Sequence, residues 1–381
     1  MPKPSTANDL NAQLREHLRQ PTFKVGTRLP SERELAMAMG VGRTMLRPVL
    51  DALEQEGILE RKPQAGTFLR GVPAPLVKGG RVVLIAPFTE IPESGRENEP
   101  AWTYSVTAAF EKVMRATGTD LDLRDQSPLG ADPCSIKVMA KEAIDDGAEA
   151  VLMIHPLGDR GTINCALSLL HDSGVHPIIC SARNYSGLTS QVYFDSSWGM
   201  YQATRHLISR GHHRIGFASA PTGHDWVRER IAGYKEALEA AEIERNSQWI
   251  WSGDDTEKLP HLQDGVDAFE KWLTLPVNDR PTAIVAANDT IAIGLLRAAK
   301  SHGISAPGDL SVVGFDNDPA ALLAGLTTMA RPTGELGEAL AQVTLSRLSQ
   351  GKGKEVAAVT YRLRPTFIER NTVGPPALTP R

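Results

Sequence analysis

The chain has 381 residues, of which 41% are hydrophobic and 23% are charged. This composition excludes a disordered or fibrous chain, and the length accommodates two or three domains. No run approaches the roughly eighteen apolar residues of a membrane helix, and the polar N-terminus lacks the apolar core of a secretory signal. The sequence therefore predicts a cytoplasmic protein without membrane contact.

The cysteines and histidines give no sign of a disulfide framework or a metal site. Cys134, Cys165 and Cys180 form no CxxC pair, and no histidine stands at zinc-finger spacing from them. His212 and His213 are adjacent, so their side chains are expected to point in different directions. We expect buried reduced thiols, no bound metal and no cofactor.

Charge is distributed unevenly along the chain. The formal net charge is −4, but residues 1–71 hold eleven Lys and Arg against eight Asp and Glu, a net of +3. The remainder has a net charge of −7. A mildly basic N-terminal part precedes an acidic body, although this asymmetry alone does not identify a nucleic-acid partner.

A segment rich in proline and glycine divides the chain. Residues 71–80 contain two prolines and three glycines, which punctuate the backbone and offer little to pack. We therefore place a linker at 71–80, between an N-terminal domain at 1–70 and a larger domain at 81–372. The Pro-rich residues 373–381 are expected to form a disordered tail.

The N-terminal domain shows the pattern of a helix-turn-helix followed by a β-wing. Ser31 and Glu34 form a capping box that opens a helix at about 32–39, and Gly42 precedes a further helix with an apolar stripe. Polar side chains on the other face of its first turns are Arg43, Thr44 and Arg47. Two short strands then predict a wing, with Lys62 and Gln64 near its tip.

These motifs resemble the winged helix-turn-helix of the GntR family. The matching segments are Gly26–Ala36, Val41–Arg47, Leu53–Arg61 and Gly66–Phe68. The resemblance implies that DNA phosphates and bases are contacted by Arg33, Arg43, Thr44 and Arg47, and in the wing by Gly66 and Thr67.

Two residues depart from the family pattern. Gly42 stands where the family usually has Ser, which weakens the helix cap. Pro48 lies inside the presumed recognition helix, lacks an amide and would clash with the carbonyl of Thr44, which predicts a late helix start or a bend. Which bases Arg43 and Arg47 read is therefore left open.

After the linker, short β-branched runs alternate with amphipathic helices. The runs begin at Arg81, Ala150, Pro177, Arg214, Thr282 and Leu310. Continuous apolar strands separated by helices predict parallel sheets covered on both faces, and about 290 residues exceed one comfortable core. The predicted fold class is α/β, with an α+β winged helix-turn-helix followed by a two-lobed, doubly wound parallel-sheet domain.

Polar residues that follow the predicted strands indicate a ligand cleft, because ligands bind at the carboxyl ends of parallel strands. Asn288, Asp316 and Asp195 each follow a strand, and Asp195 equally suits a helix N-cap. Arg230 lies in a segment, Arg228–Tyr234, that opens a helix, and its planar guanidinium suits paired hydroxyls or a carboxylate. Aromatic side chains that could stack on a sugar, but that more often form core, are Trp102, Tyr104, Phe194, Trp226 and Trp251.

The body also resembles a known family, the effector domain of LacI/GalR regulators, whose fold is that of periplasmic sugar-binding proteins. The matching segments are Tyr193–Asp195, Gly211–Phe217, Arg230–Leu238, Ala286–Gly294, Val312–Asn317, Leu326–Thr328 and Pro365–Arg370. The resemblance implies effector contacts at Arg230, Asn288, Asp316 and Asp195. An acidic loop at 88–100 is longer than in the family, so Trp102 and Tyr104 are effector candidates by position only, as is Trp251.

Together the two resemblances predict a ligand-responsive transcription regulator, a repressor of carbohydrate-utilisation genes. It is expected to bind double-stranded operator DNA as a homodimer, with an affinity that a small sugar in the interlobe cleft changes. A nucleoside or purine effector would use the same hydrogen bonds and stacking. A sugar-binding transport protein would leave the N-terminal domain unexplained, and no GxSxG, P-loop, HExxH or GxGxxG motif indicates an enzyme.

Overall fold

The computed structural model describes residues 7–20, 22–62, 65–71, 80–88, 102–126, 135–185, 187, 189–219, 224–252, 262–353 and 357–377. These residues form a small N-terminal head and a larger body built on two β-sheets. Most of the predicted linker at 71–80 lies outside the described residues. The first residues of the predicted tail at 373–381 pack on the body, since Val373 is buried and the Gly374 carbonyl contacts His212 Nε2 at 2.9 Å. Residues 378–381 lie outside the described residues.

Helices and a hairpin form the head. They are α1 (Ala7–Leu18), α2 (Glu32–Ala38), α3 (Arg43–Gln55) and the antiparallel strands β1 (Leu59–Lys62) and β2 (Gly66–Leu69). The predicted capping box is present, because Ser31 Oγ accepts from the Glu34 amide and Glu34 Oε2 accepts from the Ser31 amide at 2.8 Å. Apolar residues of all three helices share one core, so the predicted winged helix-turn-helix is confirmed.

Helix α3 is continuous through its proline. It begins at Arg43, so the late start that was one predicted consequence of Pro48 is wrong. Leu46, Leu50 and Leu53 of the same helix are buried in the head core, and this packing stabilises a helix that the exposed Pro48 weakens. Gly42 precedes the helix without a side-chain capping bond, as predicted.

The first lobe of the body is built on a sheet of parallel strands in the order β13-β7-β6-β5-β3-β4. Its strands are β3 (Arg81–Ala86), β4 (Asp120–Asp125), β5 (Ala150–Ile154), β6 (His176–Cys180), β7 (Ser190–Phe194) and β13 (Thr360–Leu363). Its helices are α4 (Trp102–Ala116), α5 (Ile136–Asp145), α6 (Arg160–Asp172) and α12 (Thr333–Leu348). Helices α4 and α12 cover one face and α5 and α6 the other, each with its own core.

The second lobe repeats this arrangement around a sheet in the order β14-β12-β11-β10-β8-β9, parallel except for β14. Its strands are β8 (Ile215–Ser219), β9 (Ile250–Ser252), β10 (Ala283–Ala286), β11 (Ser311–Asp316), β12 (Thr327–Ala330) and β14 (Thr366–Ile368). Its helices are α7 (Ser196–Ser209), α8 (Asp225–Ala240), α9 (Leu262–Thr274), α10 (Asp289–Ser301) and α11 (Pro319–Leu323). The predicted doubly wound two-lobed fold is confirmed, and every predicted apolar run forms a strand.

The chain passes between the lobes after β7, after β12 and after β13. Strand β7 lies in the first sheet, while α7, which follows it, packs against α8 of the second lobe. Helix α12 returns to pack on α4 after β12. Residues at these crossings, such as Asp195 and Arg331, therefore lie where the carboxyl ends of both sheets face each other.

The cysteine prediction holds only in part. Cys180 in β6 is buried, and burial raises the pKa of its thiol. Cys165 in α6 is exposed, so the predicted burial is wrong there: the buried face of this helix is formed by Ile163, Ala166 and Leu170 instead. Cys134 lies outside the described residues.

Candidate functional site

Arg230 of α8 lies in the cleft between the lobes, where its side chain is almost fully buried. Its Nη1 donates to the carbonyl of Ala287, and its Nη2 donates to Asp316 Oδ1 at 2.9 Å. The guanidinium carbon lies 3.7 Å from the centroid of the Phe315 ring and 4.7 Å from that of Trp226. The structure thus brings Arg230 and Asp316 together, and the carboxylate offsets the cost of burying this cation.

Asp316 ends β11 in an unusual backbone conformation. Its φ is +124° and that of Asn317 is +59°, values that residues other than glycine rarely adopt. Asp316 Oδ1 also lies 3.3 Å from Nε of Arg331, so one carboxylate stands between two arginines. Strained residues at the carboxyl end of a strand are typical of ligand sites.

Asn288 and Asp195 are helix caps beside this cleft. Asn288 Oδ1 accepts from the Ile291 amide at 2.9 Å and caps α10. Asp195 Oδ1 accepts from the Trp198 amide at 3.0 Å and caps α7. Each cap uses one side-chain oxygen, so the structural role considered for Asp195 is present, and it does not by itself exclude a further contact.

The three aromatic candidates lie in different surroundings. Trp102 begins α4, packs 5.5 Å from the Phe194 ring and lies 5.3 Å from the guanidinium carbon of Arg331. Tyr104, two residues further along the same helix, is 56% exposed. Trp251 of β9 is only 6% exposed and packs over Gly216 in the core of the second lobe. Only Trp102 is placed among residues of the cleft.

The sequence did not predict two residues that lie at the cleft. His155 directly follows β5 and has a φ of +48°, and its ring lies 5.7 Å from the Trp102 ring. Burial and the nearby charge of Arg331 lower its pKa to about 4. Arg331 follows β12 and lies 3.4 Å from Asp318. The signal for His155 was its place at the end of an apolar run; the signal for Arg331 was a lone cation between a strand and Pro332.

Asp289 lies behind Asp316 and is fully buried. Its two oxygens accept from Thr328 Oγ1 at 2.6 Å and from the Asp318 amide at 2.9 Å. Burial and the negative charge of Asp316 nevertheless raise its pKa to about 7. The Asp318 contact shows that Asp289 holds the loop that carries Asp316 and Asn317.

The cleft therefore combines donors, an acceptor and an aromatic surface. Among the described residues, Nε of Arg230 and Nε of Arg331 are buried and form no hydrogen bond, although Nε of Arg331 lies 3.3 Å from Asp316 Oδ1 as an ion pair. Asp316 supplies an acceptor between them, and Trp102 supplies a ring face. Such a set suits a small ligand with several hydroxyl groups. Apart from Phe88, the predicted acidic loop at 88–100 lies outside the described residues.

The predicted DNA contacts of the head lie on its surface. Exposed residues at the start of α2 and α3 are Arg33, Arg43, Thr44 and Arg47. Arg47 already forms an ion pair within the head, because its Nη2 lies 3.3 Å from Glu32 Oε2. Lys62 is exposed near the hairpin tip, Gly66 and Thr67 are half-buried, and Gln64 lies outside the described residues.

Two different protein families match the head and the body separately. Residues 6–69 match the family described as bacterial regulatory proteins, gntR family. Residues 204–373 match the periplasmic binding protein-like domain. The chain joins a GntR-type head to a periplasmic-binding-protein-like body.

One relative matches over nearly the whole chain, and others match over part of it. The arabinose metabolism transcriptional repressor of Geobacillus stearothermophilus is 26% identical over 92% of both chains. The HTH-type transcriptional repressor PurR of Photobacterium profundum is 31% identical over 190 residues, and the chain spans about half (54%) of its length. A LacI family transcriptional regulator from Enterococcus faecium with bound ribose has a TM-score of 0.59 at 24% identity, covering 77% of this chain and 99% of that one.

Neither a membrane span nor a metal cluster occurs among the described residues. No helix in this part of the chain is long and apolar enough to cross a membrane. Nor do its His, Cys, Asp and Glu side chains form a group that could hold a metal ion. His212, considered as a ligand in the sequence, contacts Thr282 Oγ1 at 2.8 Å through Nδ1 and the Gly374 carbonyl through Nε2.

Proposed function

We propose that this protein is a ligand-responsive transcription regulator that represses carbohydrate-utilisation genes. The observation that carries the proposal is the combination of a GntR-type head and a cleft-bearing, periplasmic-binding-protein-like body in one chain. The arabinose repressor, similar over nearly its whole length, supports it. A regulator of this kind acts in the cytoplasm, where operator DNA lies, and transforms no substrate.

In this proposal the head binds double-stranded operator DNA. Helix α3 enters the major groove, and the wing lies along the backbone or the minor groove. The residues proposed to contact DNA are Arg33, Arg43, Thr44, Arg47, Lys62, Gln64, Gly66 and Thr67.

The proposed effector is a small sugar held between the lobes. Sugar hydroxyls both donate and accept, so Arg230 beside Asp316 matches two neighbouring hydroxyls, and Trp102 offers a surface for the apolar face of the ring. Asn288 and Asp195 complete the proposed set. Tyr104 and Trp251 stay predictions, and the burial of Trp251 favours a core role. A nucleoside would use the same donors and rings, and it is the alternative.

Effector binding would change operator affinity through the relative position of the lobes. A ligand that contacts both lobes stabilises the closed arrangement in proportion to its differential affinity, and a homodimer transmits this change to its two heads. The exposed Leu322 and Leu323 of α11, with 66% and 89% of their surface accessible, are suited to contact a second copy. Sedimentation of the full chain as a monomer, both free and on DNA, would contradict the dimer.

The test of the regulator is selection of bound duplexes from a random-sequence pool with the full chain. The selected duplex is then titrated in the presence of pentoses, hexoses, disaccharides or nucleosides. We expect one sugar to change operator affinity by about tenfold or more. Failure to enrich any duplex would overturn the proposal, and a response to nucleosides alone would replace the sugar with the alternative effector.

Asp316→Asn tests the cleft separately from the head. The variant keeps the shape but removes the charge that pairs with Arg230 and Arg331, so we expect effector affinity to fall by about tenfold or more. Operator affinity without effector should be unchanged in the same titration. The matched control is Asp279→Asn, on an exposed carboxylate away from the cleft, which should leave both affinities unchanged. An Asp316→Asn variant with full effector response would remove Asp316 from the site.

A further inference from the structure

The loop after β11 has a strained backbone and lies at the cleft. Asp316 and Asn317 are consecutive residues with φ of +124° and +59°, and neither is a glycine. Such conformations persist only where surrounding contacts hold them. We call residues 316–318 the effector loop, because Asp316 lies 2.9 Å from Arg230 Nη2 and 3.3 Å from Arg331 Nε in the proposed effector site.

One tie holds the last residue of the effector loop from within the second lobe. Asp289 Oδ2 accepts from the Asp318 amide at 2.9 Å. The buried Thr328 fixes Asp289 in turn, because its Oγ1 donates to Asp289 Oδ1 at 2.6 Å. Gly314 leaves room for this carboxyl group, since a Cβ atom built there would lie 2.2 Å from Asp289 Oδ1.

A second tie reaches the strained part of the loop, and it comes from Arg370. This residue lies two positions after β14, beyond the last crossing between the lobes. Its Nη2 donates to Asn317 Oδ1 at 2.6 Å, and its Nη1 donates to the Leu326 carbonyl at 2.6 Å. Arg370 thus joins the effector loop to the residue before β12 through two nitrogens of one planar group.

The backbone around Arg370 is itself anchored to the second lobe. The Arg370 amide donates to Thr327 Oγ1 at 3.0 Å, and the Asn371 amide donates to the Gly325 carbonyl at 2.9 Å. Arg370 therefore reaches the effector loop from a fixed base, and the rigid fork of its guanidinium sets where Asn317 can lie.

Asn317 suits this tie for two reasons. Asparagine adopts left-handed backbone conformations more readily than most residues, and its carboxamide oxygen can accept a hydrogen bond. One peptide bond joins Asn317 to Asp316, so a backbone rotation at Asn317 would move the Asp316 carboxylate relative to its two arginines.

We propose that Arg370 is a positioning residue of the effector site that acts through Asn317 to hold the Asp316 carboxylate in place. Its side-chain hydrogen bonds are to the effector loop and to the residue before β12, so its influence on an effector passes through the loop. The inference rests on the proposed function, because it concerns the same cleft, and it adds a residue outside the proposed effector contacts.

The test measures effector affinity of the full chain by isothermal titration calorimetry. L-arabinose, D-ribose, D-glucose and adenosine are each titrated into the wild type, and the one bound most tightly is the probe for the variants. We expect Arg370→Gln to weaken probe binding about three- to tenfold, because the loop loses a hydrogen bond from a charged group. Arg370→Lys, with the charge but a single nitrogen, should fall between. Affinity for the selected operator duplex without probe should not change.

A double-mutant cycle shows whether Arg370 acts through Asn317. Asn317→Gly keeps the positive φ accessible but removes the acceptor. In that background Arg370→Gln should weaken probe binding by less than about twofold. A loss as large as in the wild-type background would overturn the inference, because Arg370 would then act by another route.

The matched control is Arg210→Gln. Arg210 pairs with Glu369, the residue before Arg370, so this variant removes an equal charge from the same part of the second lobe without breaking a contact to the effector loop. It should leave probe affinity unchanged. Equal losses in Arg210→Gln and Arg370→Gln would contradict the inference, because general charge would explain both.

Hydrogen exchange gives a readout that needs no effector. In the ligand-free full chain, followed by mass spectrometry, Arg370→Gln should exchange faster than the wild type over the effector loop. Exchange over α6 of the first lobe is the internal control and should not change. Circular dichroism of Arg370→Gln and Arg370→Lys checks that both variants fold.

The outcomes separate this inference from the proposed function. Wild-type probe affinity in Arg370→Gln, or wild-type exchange in its effector loop, would overturn the inference alone. A wild type that binds none of the four probes would overturn the proposed effector, and with it the role of Arg370 in binding. The exchange measurement would then still decide whether Arg370 holds the loop.

Discussion

Single residues in the cleft are held in ionisation states that their surroundings dictate. Asp289 is buried beside Asp316, and its pKa is raised to about 7 by burial first and by that neighbouring charge second. In an unfolded chain the same carboxyl group titrates near 3.9. Between these two pH values the folded protein holds a proton that the unfolded chain has lost, so stability falls as pH rises from about 4 to about 7.

Asp289→Asn should remove this pH dependence, because the amide resembles the protonated acid. Relative to the wild type, the free energy of unfolding of the variant should rise with pH by up to about 1.4 kcal/mol per unit between about pH 5 and 7. The difference should then level off by about pH 8. Thermal unfolding of both proteins at intervals across this range measures it.

The control for this prediction is the same substitution at an exposed carboxylate, Asp279→Asn, which should give a difference that is flat with pH. His155, whose lowered pKa acts in the opposite direction at acid pH, is present in all three proteins and cancels. A pH-independent difference for Asp289→Asn would mean that Asp289 is ionised in the folded state.

The sequence predicted those cleft residues whose position beside a strand or within a helix can be recognised locally. Asp316 ends an apolar strand, Asn288 closely follows one, and Arg230 lies in a recognisable helix, so the sequence predicted all three, and all three lie at the cleft. Arg331 was not predicted, because its local signal, a lone cation between a strand and Pro332, does not distinguish it from other surface arginines. Its contacts with Trp102 and Asp316 join segments distant in sequence, and only their meeting in space reveals them.

At the scale of elements, α3 presents a conflict between local preference and packing. Pro48 lies beyond the first turn, so it removes one hydrogen bond to the Thr44 carbonyl. The helix nevertheless continues from Arg43 to Gln55, because its apolar stripe is buried in the head core. Packing energy therefore outweighs the local cost of the proline.

Pro48→Ala should strengthen this helix. The substitution restores an amide donor and removes a clash, so we expect a stabilisation of α3 of about 1–3 kcal/mol. Hydrogen exchange of the full chain, followed by mass spectrometry, should show slower exchange over residues 43–55. Exchange in α12, which lies in the body, is the internal control and should not change. Faster exchange in α3 would contradict this prediction and show that Pro48 stabilises the helix.

Edge strands were the elements that the sequence predicted least well. Strand β4 (Asp120–Asp125) alternates polar and apolar residues, and β9 and β14 are only three residues long. An edge strand is covered less than a central one, so it lacks the continuous apolar run that identified β3, β5 and β10. Pairing with the neighbouring strand, not composition, defines these segments.

For the whole molecule, ion pairs between the lobes bear on how the cleft closes. Arg183, in the loop after β6 of the first lobe, donates from Nε to Asp225 Oδ2 of α8 in the second lobe at 2.6 Å. Arg362 of β13 lies 3.1 Å from Glu229 Oε1 of the same helix. Helix α8 also carries Arg230, so these pairs fix the helix that holds the central cleft cation.

Arg183→Gln should favour a more open arrangement of the lobes. The pair is partly exposed and contributes about 1 kcal/mol, so we expect effector affinity to fall about three- to fivefold. Small-angle X-ray scattering of the ligand-free protein should give a larger radius of gyration. The control is Arg228→Gln, which removes a partner of the same Asp225 from within α8 and spans no lobe boundary. If Arg183→Gln and Arg228→Gln change effector affinity and the radius of gyration equally, the effect comes from the unpaired charge of Asp225 and not from the lost contact between the lobes.

Local patterns in the sequence were sufficient to predict the winged helix-turn-helix and the paired parallel sheets, because amphipathic periodicity, capping residues and apolar runs are local properties of the chain. They also determined which polar residues follow the strands. The positions of Arg331 and His155 at the cleft, and of Trp251 in the core of the second lobe, became evident only from the folded chain. The physical reason is that burial and pairing depend on segments distant in sequence, and their contacts form only when the chain has folded.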